Sequence, residues 1–436
     1  MTSKAAKEAF VWIWLPGETE PVVAGRLAAD GGNLCFNYGQ SYLARGRNNL
    51  PVMPIYLPEL PLQAGVLPLL EGLIMPGCIR DAAPDAWGRR VIMNKKCGSL
   101  GRDTAELDEL TYLLESGSDR IGALDFQRSS SVYEPRFAKN VGMEELLASA
   151  ERVEQGMRLT PELDQALVHG SSIGGARPKV LIEDVEDVED VEAIQGVEGM
   201  QGQGKKYIAK FSSSTDLFSV VKAEYVAMRL AALVGLRVAP VKLIKVANKD
   251  VLLIERFDRL PQDGGWSRKV MVSALTLFGL QDMMARYASY ETLAQIIRHR
   301  FTDPKDNLRE LFARLVFNVL SGNTDDHARN HAAFWDGKAL MLTPAYDICP
   351  QGRTGNEATQ AMLIAGNNNL SQLKTCLETA KNFLLSEQEA RILFEHVRAG
   401  IEQHWQTVCD EAGLSEVDQS LLWGRQFLNP YSLIIE

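Results

Sequence analysis

The sequence predicts an α+β chain in three successive parts: a β-rich beginning, a mixed strand-and-helix middle and a helical end. Three observations carry this. Short β-branched and aromatic runs broken by Gly, Asp and Asn dominate the first 40 residues. Strand patterns return from about 172 to 258 around one long apolar helix. Beyond 270, nearly every apolar residue recurs at helical spacing.

Taken in order, "FVWIWL" followed by Pro16 and Gly17 reads as a strand, because six apolar residues are too few for a signal peptide or a membrane span. "VVAGRLAADGGNLCFNYG" reads as a hairpin turning at Asp30-Gly31-Gly32. "RDAAPDAWGRRVIM" and "DELTYLLES" read as helices. The middle offers the strands "KVLIED", "KKYIAKF", "VAPVKLIKVA" and "DVLLIERF", with the helix "VKAEYVAMRLAALVGL" between the second and third. At 436 residues the chain is long enough for two or three cores. The expected boundaries are 1–125, 126–258 and 259–436.

Composition excludes several classes. A hydrophobic content of 46% with 23% charged residues is that of an ordinary globular protein, expected to be cytoplasmic. Six cysteines at 35, 78, 97, 349, 376 and 409 include no C-x-x-C pair, which fits reduced, mostly buried thiols. A net charge of −10 argues against direct electrostatic binding to nucleic acid or anionic lipid. The segment Glu183 to Glu198 alone holds eight acidic and no basic residues, so the rest nets only −2. That insert, running to about 204 through "GMQGQG", reads as a solvated loop.

The chemistry concentrates in "SGNTDDHARN", Ser321 to Asn330. Before it, Asp303 and Pro304 suit the start of a helix whose Leu308, Leu311, Phe312, Leu315, Val316, Val319 and Leu320 form one apolar stripe, ending at Gly322. Asp325 and Asn330 make D-x-x-x-x-N, the spacing at which a protein-kinase loop places its base and a magnesium ligand. Asp326 is one residue out of register, so Asp325 is the better base. A hairpin, "HAAFWDGKALMLT", then delivers Asp347 where a kinase needs its second magnesium carboxylate.

Upstream, alternation in "KKYIAKF" puts Lys210 on the face with Ile208 and opposite Tyr207, Ala209 and Phe211. A strand lysine followed by a helix glutamate, here Glu224, is the pair that grips the α- and β-phosphates in kinases. The glycines of "SSIGGARPK" offer backbone N–H groups to phosphate, although the spacing is not that of a Walker A loop.

"SSIGGARPK", "IAKF", "LLIERFDR", "NTDDHARN" and "LTPAYDI" occur in the order found in HipA-type serine/threonine kinases, the toxins of HipBA toxin–antitoxin modules, and "IRDAAPDAWGRR" resembles the N-terminal region of that family. The resemblance implies a protein-kinase-like fold that uses ATP and magnesium. It makes Asp325 the catalytic base and Asn330 with Asp347 the metal ligands. It makes Lys210 the phosphate-binding lysine, supported by Glu224. Gly174, Gly175 and Lys179 would belong to the phosphate loop, Glu255 to Phe257 would lie beside adenine, and His327 and Tyr346 would line the nucleotide pocket. Ser172 falls where members autophosphorylate, with Ser171 as competitor. The implied partners are a HipB-like helix-turn-helix antitoxin dimer, operator DNA only through that antitoxin, and a protein substrate such as an aminoacyl-tRNA synthetase or another translation component. The acidic insert is a departure from the compact pattern.

Other patterns compete. "GSSIG" fits the nucleophile elbow G-x-S-x-G, but "TPELDQALVH" before it reads as helix where a strand is required. His327 and His331 stand four apart, yet the glutamate of H-E-x-x-H is replaced by Ala328. "HWQTVCDEAG" reads as a core-facing helix and Met283-Met284 as packing. A non-catalytic alternative is a pseudokinase co-repressor, against which the intact Lys210, Asp325, Asn330 and Asp347 set speaks.

Overall fold

The computed structural model describes residues 6–100, 107–137, 142–157, 177–184, 204–213, 216 and 218–436. The chain groups into two compact units. The first comprises Met1–Ser213, Ile244–Val272 and Trp335–Gly337; the second comprises Ser214–Leu243, Ser273–Phe334 and Lys338–Glu436.

Among its described residues the first unit contains two four-stranded sheets. In one, β1 (Glu8–Ile13), β2 (Val22–Asp30), β3 (Asn33–Tyr38) and β4 (Leu124–Gln127) take the order β3-β2-β1-β4. The expected hairpin is present, with Asp30 paired to Asn33 across Gly31 and Gly32. A bulge between Val11 and Trp12 bends the central strand. Gly25 is required in β2, because a Cβ there would lie 2.2 Å from the Asn37 carbonyl and 2.6 Å from the Phe36 ring.

In the second sheet, β5 (Lys179–Asp184), β6 (Lys205–Phe211), β7 (Val241–Val246) and β8 (Lys249–Glu255) take the order β5-β6-β8-β7. One face carries Val180, Tyr207, Ala209, Phe211, Val251 and Leu253 into a core completed by Trp87 and Val91 and by Leu146, Leu147 and Ala150 of the helix Met143–Glu154. Trp87 Nε1 donates to the Lys179 carbonyl at 2.9 Å, fixing β5 to the helix Ala86–Leu100. A second hairpin was not foreseen: β9 (Arg259–Gln262) pairs with β10 (Gly265–Arg268). Asp263-Gly264 at its turn was the available signal.

The second unit is built around the helix Pro304–Ser321. Its seven expected apolar residues are all fully buried, but so are Asn307, Arg314 and Asn318 to within 2%. The expected single stripe is therefore a helix enclosed on nearly every side. Pro304 occupies the first turn as expected, and Asp303 is the N-cap residue but has left-handed φ of 49° and no side-chain capping bond. Gly322 ends the helix with φ of 70°, and a Cβ there would lie 2.7 Å from the Gln426 carbonyl. The predicted hairpin forms from Ala332–Trp335 and Leu340–Leu342.

Within the long helix Glu387–Glu411, Trp405, Val408 and Cys409 face inward as expected. Met283 and Met284 do not pack. They lie on the two-turn 3₁₀ segment Asp282–Tyr287, which buries no residue, and are 84% and 42% exposed. Adjacent methionines carry no periodic signal, so the sequence could not place them on a core face. Among the described residues Cys35, Cys78, Cys349, Cys376 and Cys409 are free thiols, all buried except the half-buried Cys35. No described helix is long and apolar enough to cross a membrane.

Candidate active site

The predicted site residues divide between the units. Ser172, Gly174 and Gly175, with Ser171, the "GSSIG" pattern and residues 185–203 of the acidic insert, lie outside the described residues.

In the first unit the register of β5 against β6 sets Lys179 directly opposite Lys210. Residues directly opposite share a face, and both lysines are buried, at 4% and 7% exposure. Tyr207, Ala209 and Phe211 occupy the other face, as the alternation predicted. Glu255, at the end of β8, is half-buried and accepts from Lys205 Nζ at 2.8 Å; Phe257 is half-buried beyond it.

Sequence reasoning missed what holds this end of the sheet. "ERFDR" contributes Arg256, Asp258 and Arg259 to a buried ionic network with Asp119 and Lys206. Asp119 pairs with Arg259 at 2.8 Å, Arg256 at 3.0 Å and Lys206 at 3.2 Å. Asp258 accepts from both arginines at 2.9 Å and from the Gly122 N–H at 2.8 Å. Burial alone raises the Asp258 carboxyl, but Arg256 and Arg259 bring it down to about 2. Burial likewise opposes the Asp119 charge, and Arg256, Arg259 and Lys206 overcome it to hold the carboxyl well below its ordinary range. The available signal was the charge density of "ERFDR" directly after an apolar strand.

In the second unit, the loop after Pro304–Ser321 closes on itself. The Asp325 carbonyl accepts from the His327 N–H at 2.8 Å and from the Asn330 side-chain amide at 3.2 Å. The Asn330 N–H donates to the His327 carbonyl at 2.8 Å. The D-x-x-x-x-N spacing is thus a closed turn with Asp325 at its crest. The two adjacent aspartates are sorted by environment, since Asp325 is exposed and Asp326 is 3% exposed. Asp326 accepts from Tyr290 Oη and, at 3.0 Å, from His331 Nε2. Among the described residues, no hydrogen bond engages Asn330 Oδ1.

His327 is half-buried, and among the described residues its Nδ1 has no hydrogen-bond partner. Tyr346 Oη donates to the Arg329 carbonyl at 2.7 Å, tying the Asp347 segment to the loop. Asp347 itself is left-handed, with φ of 59°. That conformation costs an ordinary L residue about 1–2 kcal/mol and persists where surroundings fix it, commonly at functional positions. Here Arg314 donates to the Thr343 carbonyl at 2.8 Å and to Glu310 at 2.7 Å, and Ala345 bonds the Arg237 carbonyl at 2.8 Å. Glu224 is 3% exposed on the helix Val220–Leu233 of this unit. Among the described residues no group of three or more His, Cys, Asp or Glu could hold a metal, and His331 is engaged by Asp326.

Family models match along most of the chain: the HipA N-terminal domain over residues 14–127 and the HipA-like C-terminal domain over 171–405. The chain belongs to the HipA family. Among curated relatives of this chain, Y4mE of Sinorhizobium fredii is 27% identical over 149 residues, covering 33% of this chain and 34% of its own. The serine/threonine-protein kinase toxin HipA of Shewanella oneidensis is 25% identical over 158 residues, covering 33% and 36%. The chain therefore spans about a third of the length of these relatives. The solved Shewanella oneidensis HipA, in a complex with HipB and operator DNA, superposes over 97% of this chain and 99% of its own with a TM-score of 0.66 at 18% identity. The α+β HipA fold expected from the motifs is thereby found.

Proposed function

We propose that this HipA-family chain is a serine/threonine protein kinase that transfers the γ-phosphate of ATP to protein hydroxyls, as the toxin of a toxin–antitoxin module. The observation that carries the reading is the sorted aspartate pair: Asp325 stands exposed at the crest of a turn closed by Asn330. Asp325 orients the acceptor hydroxyl and takes its proton as the oxygen attacks phosphorus. Lys179 and Lys210 hold the nucleotide phosphates, with Gly174 and Gly175 contributing N–H groups. Lys210 is supported by Glu224, and Glu255, Phe257, His327 and Tyr346 bound the base and ribose. Asn330 and Asp347 are the residues that would hold magnesium, which neutralises phosphate charge during transfer.

The partner that fits this reading is a HipB-like helix-turn-helix dimer, since a net charge of −10 leaves the chain poorly suited to bind operator DNA alone. Self-phosphorylation at Ser172, a translation component such as an aminoacyl-tRNA synthetase as substrate, and a cytoplasmic location belong to the same proposal.

The test is Asp325→Gln. Transfer of labelled phosphate from ATP should fall by about 10²–10⁴-fold, the usual contribution of a positioned base, with ATP affinity retained. Undiminished transfer in that variant removes Asp325 from its role. Phosphopeptide mapping of the wild type checks Ser172 against Ser171.

A further inference from the structure

Asp326 plays no part in the scheme above, yet it is the most carefully housed side chain of the loop. It is 3% exposed, and its two partners, Tyr290 and His331, are 0% and 3% exposed. A carboxylate only accepts, so Tyr290 Oη and His331 Nε2 both donate to the same oxygen, Oδ2. The two donors also meet each other: Tyr290 Oη is 3.3 Å from His331 Nε2, and the rings pack edge to face with centroids 5.4 Å apart. Were the site required only to fill space, an apolar residue would serve without the desolvation cost of a buried carboxylate. A two-donor anchor does something a leucine cannot, because it fixes direction as well as depth.

The anchor's other attachments show what it aligns. His331 follows Asn330, and its carbonyl accepts from the Ala274 N–H at 2.7 Å. Tyr290 begins the helix Tyr290–Arg300, and its N–H donates to the Leu363 carbonyl at 2.9 Å, on the segment that follows Asp347. That segment also reaches the loop directly, through the Ala361 N–H and the Thr324 carbonyl at 3.0 Å. One carboxylate therefore joins the residue after Asp325, the residue after Asn330 and the chain beyond Asp347.

We infer that Asp326 is a positioning residue for phosphoryl transfer: by seating in the Tyr290–His331 pair it turns the adjacent Asp325 outward and holds the loop in register with the Asp347 segment. This rests on the reading of Asp325 as the base. The second aspartate of "TDDH" is the loop's anchor, and neither an alternative base nor a metal ligand.

The test compares wild type with Asp326→Leu, Asp326→Asn, Tyr290→Phe and the double variant Tyr290→Phe/Asp326→Leu. Each is measured for ATP affinity with magnesium by calorimetry, for thermal midpoint, and for single-turnover transfer of labelled phosphate to dephosphorylated casein and to the chain itself. Asp326→Leu should lose about 10²-fold in transfer rate, the effect of misplacing a reacting group by about an ångström, with ATP affinity unchanged. Asp326→Asn, whose amide oxygen still accepts from both donors, should recover about tenfold of that loss. Tyr290→Phe removes one oxygen and should slow transfer by about tenfold, and the double variant should be no slower than Asp326→Leu alone, because the residues act as one unit. Transfer rates in Asp326→Leu or Tyr290→Phe close to wild type overturn the inference. So does a parallel loss of affinity, stability and rate in Tyr290→Phe, which marks a merely structural contact. Absence of any transfer by the wild type overturns the kinase reading, and the inference with it.

Discussion

The two units hold their proposed site residues in place by different physics. In the first, the strand bearing Lys210 runs beside a buried ionic network in which Asp119 and Asp258 neutralise Arg256, Arg259 and Lys206. In the second, the loop bearing Asp325 hangs from an apolar helix whose Leu308, Leu311, Phe312, Leu315 and Val316 are fully buried, and its polar anchors form separate small sets around Asp326 and Arg314. Charges in a network depend on every partner being present and ionised, whereas packed apolar surface responds only to shape. The first unit should therefore answer to pH and to single charge deletions, and the second to volume.

The largest expected effects separate the two most cleanly. Asp119→Ala leaves the buried Arg256 and Arg259 and the half-buried Lys206 without their shared anion, and breaking such a buried pair costs about 3–5 kcal/mol. Phe312→Ala empties a site between Phe383 and Phe394, whose ring centroids lie 5.1 and 6.1 Å away, and also costs about 3–5 kcal/mol. Urea unfolding followed by hydrogen exchange, read separately for residues 107–137 and 304–321, should place each loss in its own unit. A loss of protection in the 304–321 helix from Asp119→Ala would break the contrast.

The pH dependence sharpens it. Asp258 titrates near 4 when unfolded and at about 2 when folded. A depressed folded value means that its stabilisation is complete above the unfolded value and lost as pH falls through the folded one. The first unit should thus lose about 2 kcal/mol from this group alone between about pH 4 and 2. Asp119, shifted in the same direction, extends that loss. Asp258→Asn should flatten this acid limb, while the deficit of Phe312→Ala should stay constant across it.

A smaller effect probes the root of the loop. At Gly322 the left-handed backbone and the 2.7 Å approach of the Gln426 carbonyl both exclude a Cβ. Gly322→Ala should cost about 1–3 kcal/mol and slow phosphate transfer more than it weakens ATP binding, because the displaced element leads straight into Asp325.

The contrast also explains what was legible in the sequence. Helix and strand periodicity foretold the Pro304–Ser321 helix, the Ala332–Leu342 hairpin and the face on which Lys210 lies, since each follows from local spacing. The inward turn of Asp326 was not legible: its partners Tyr290 and His331 lie 36 and 5 residues away, and only the tertiary fold brings them together. The ionic network was hidden for the same reason, with Asp119 and Arg259 separated by 140 residues. Asp303 shows the converse, a residue read correctly as a helix start whose side chain takes no capping bond because its backbone is left-handed.

The smallest expected effect tests whether polar anchors in the second unit stay local. Ser386 and Glu389 form a reciprocal capping box at the start of Glu387–Glu411, with Ser386 N–H to Glu389 at 2.8 Å and Glu389 N–H to Ser386 Oγ at 3.2 Å. The hydrogen bonds from the Ser386 N–H and hydroxyl hold the Glu389 carboxyl below its ordinary range. Its half of the cap is therefore present at neutral pH and lost as the solution is acidified through the lowered value. Ser386→Ala removes the hydroxyl and should cost about 1 kcal/mol. Because the box is exposed at one end of a 25-residue helix, the loss should appear as faster hydrogen exchange in the first turn after Ser386, with no change in the rate of phosphate transfer. A slower transfer rate in Ser386→Ala would mean that the second unit couples its polar anchors over distance, as the first does, and the division drawn between the two would fail.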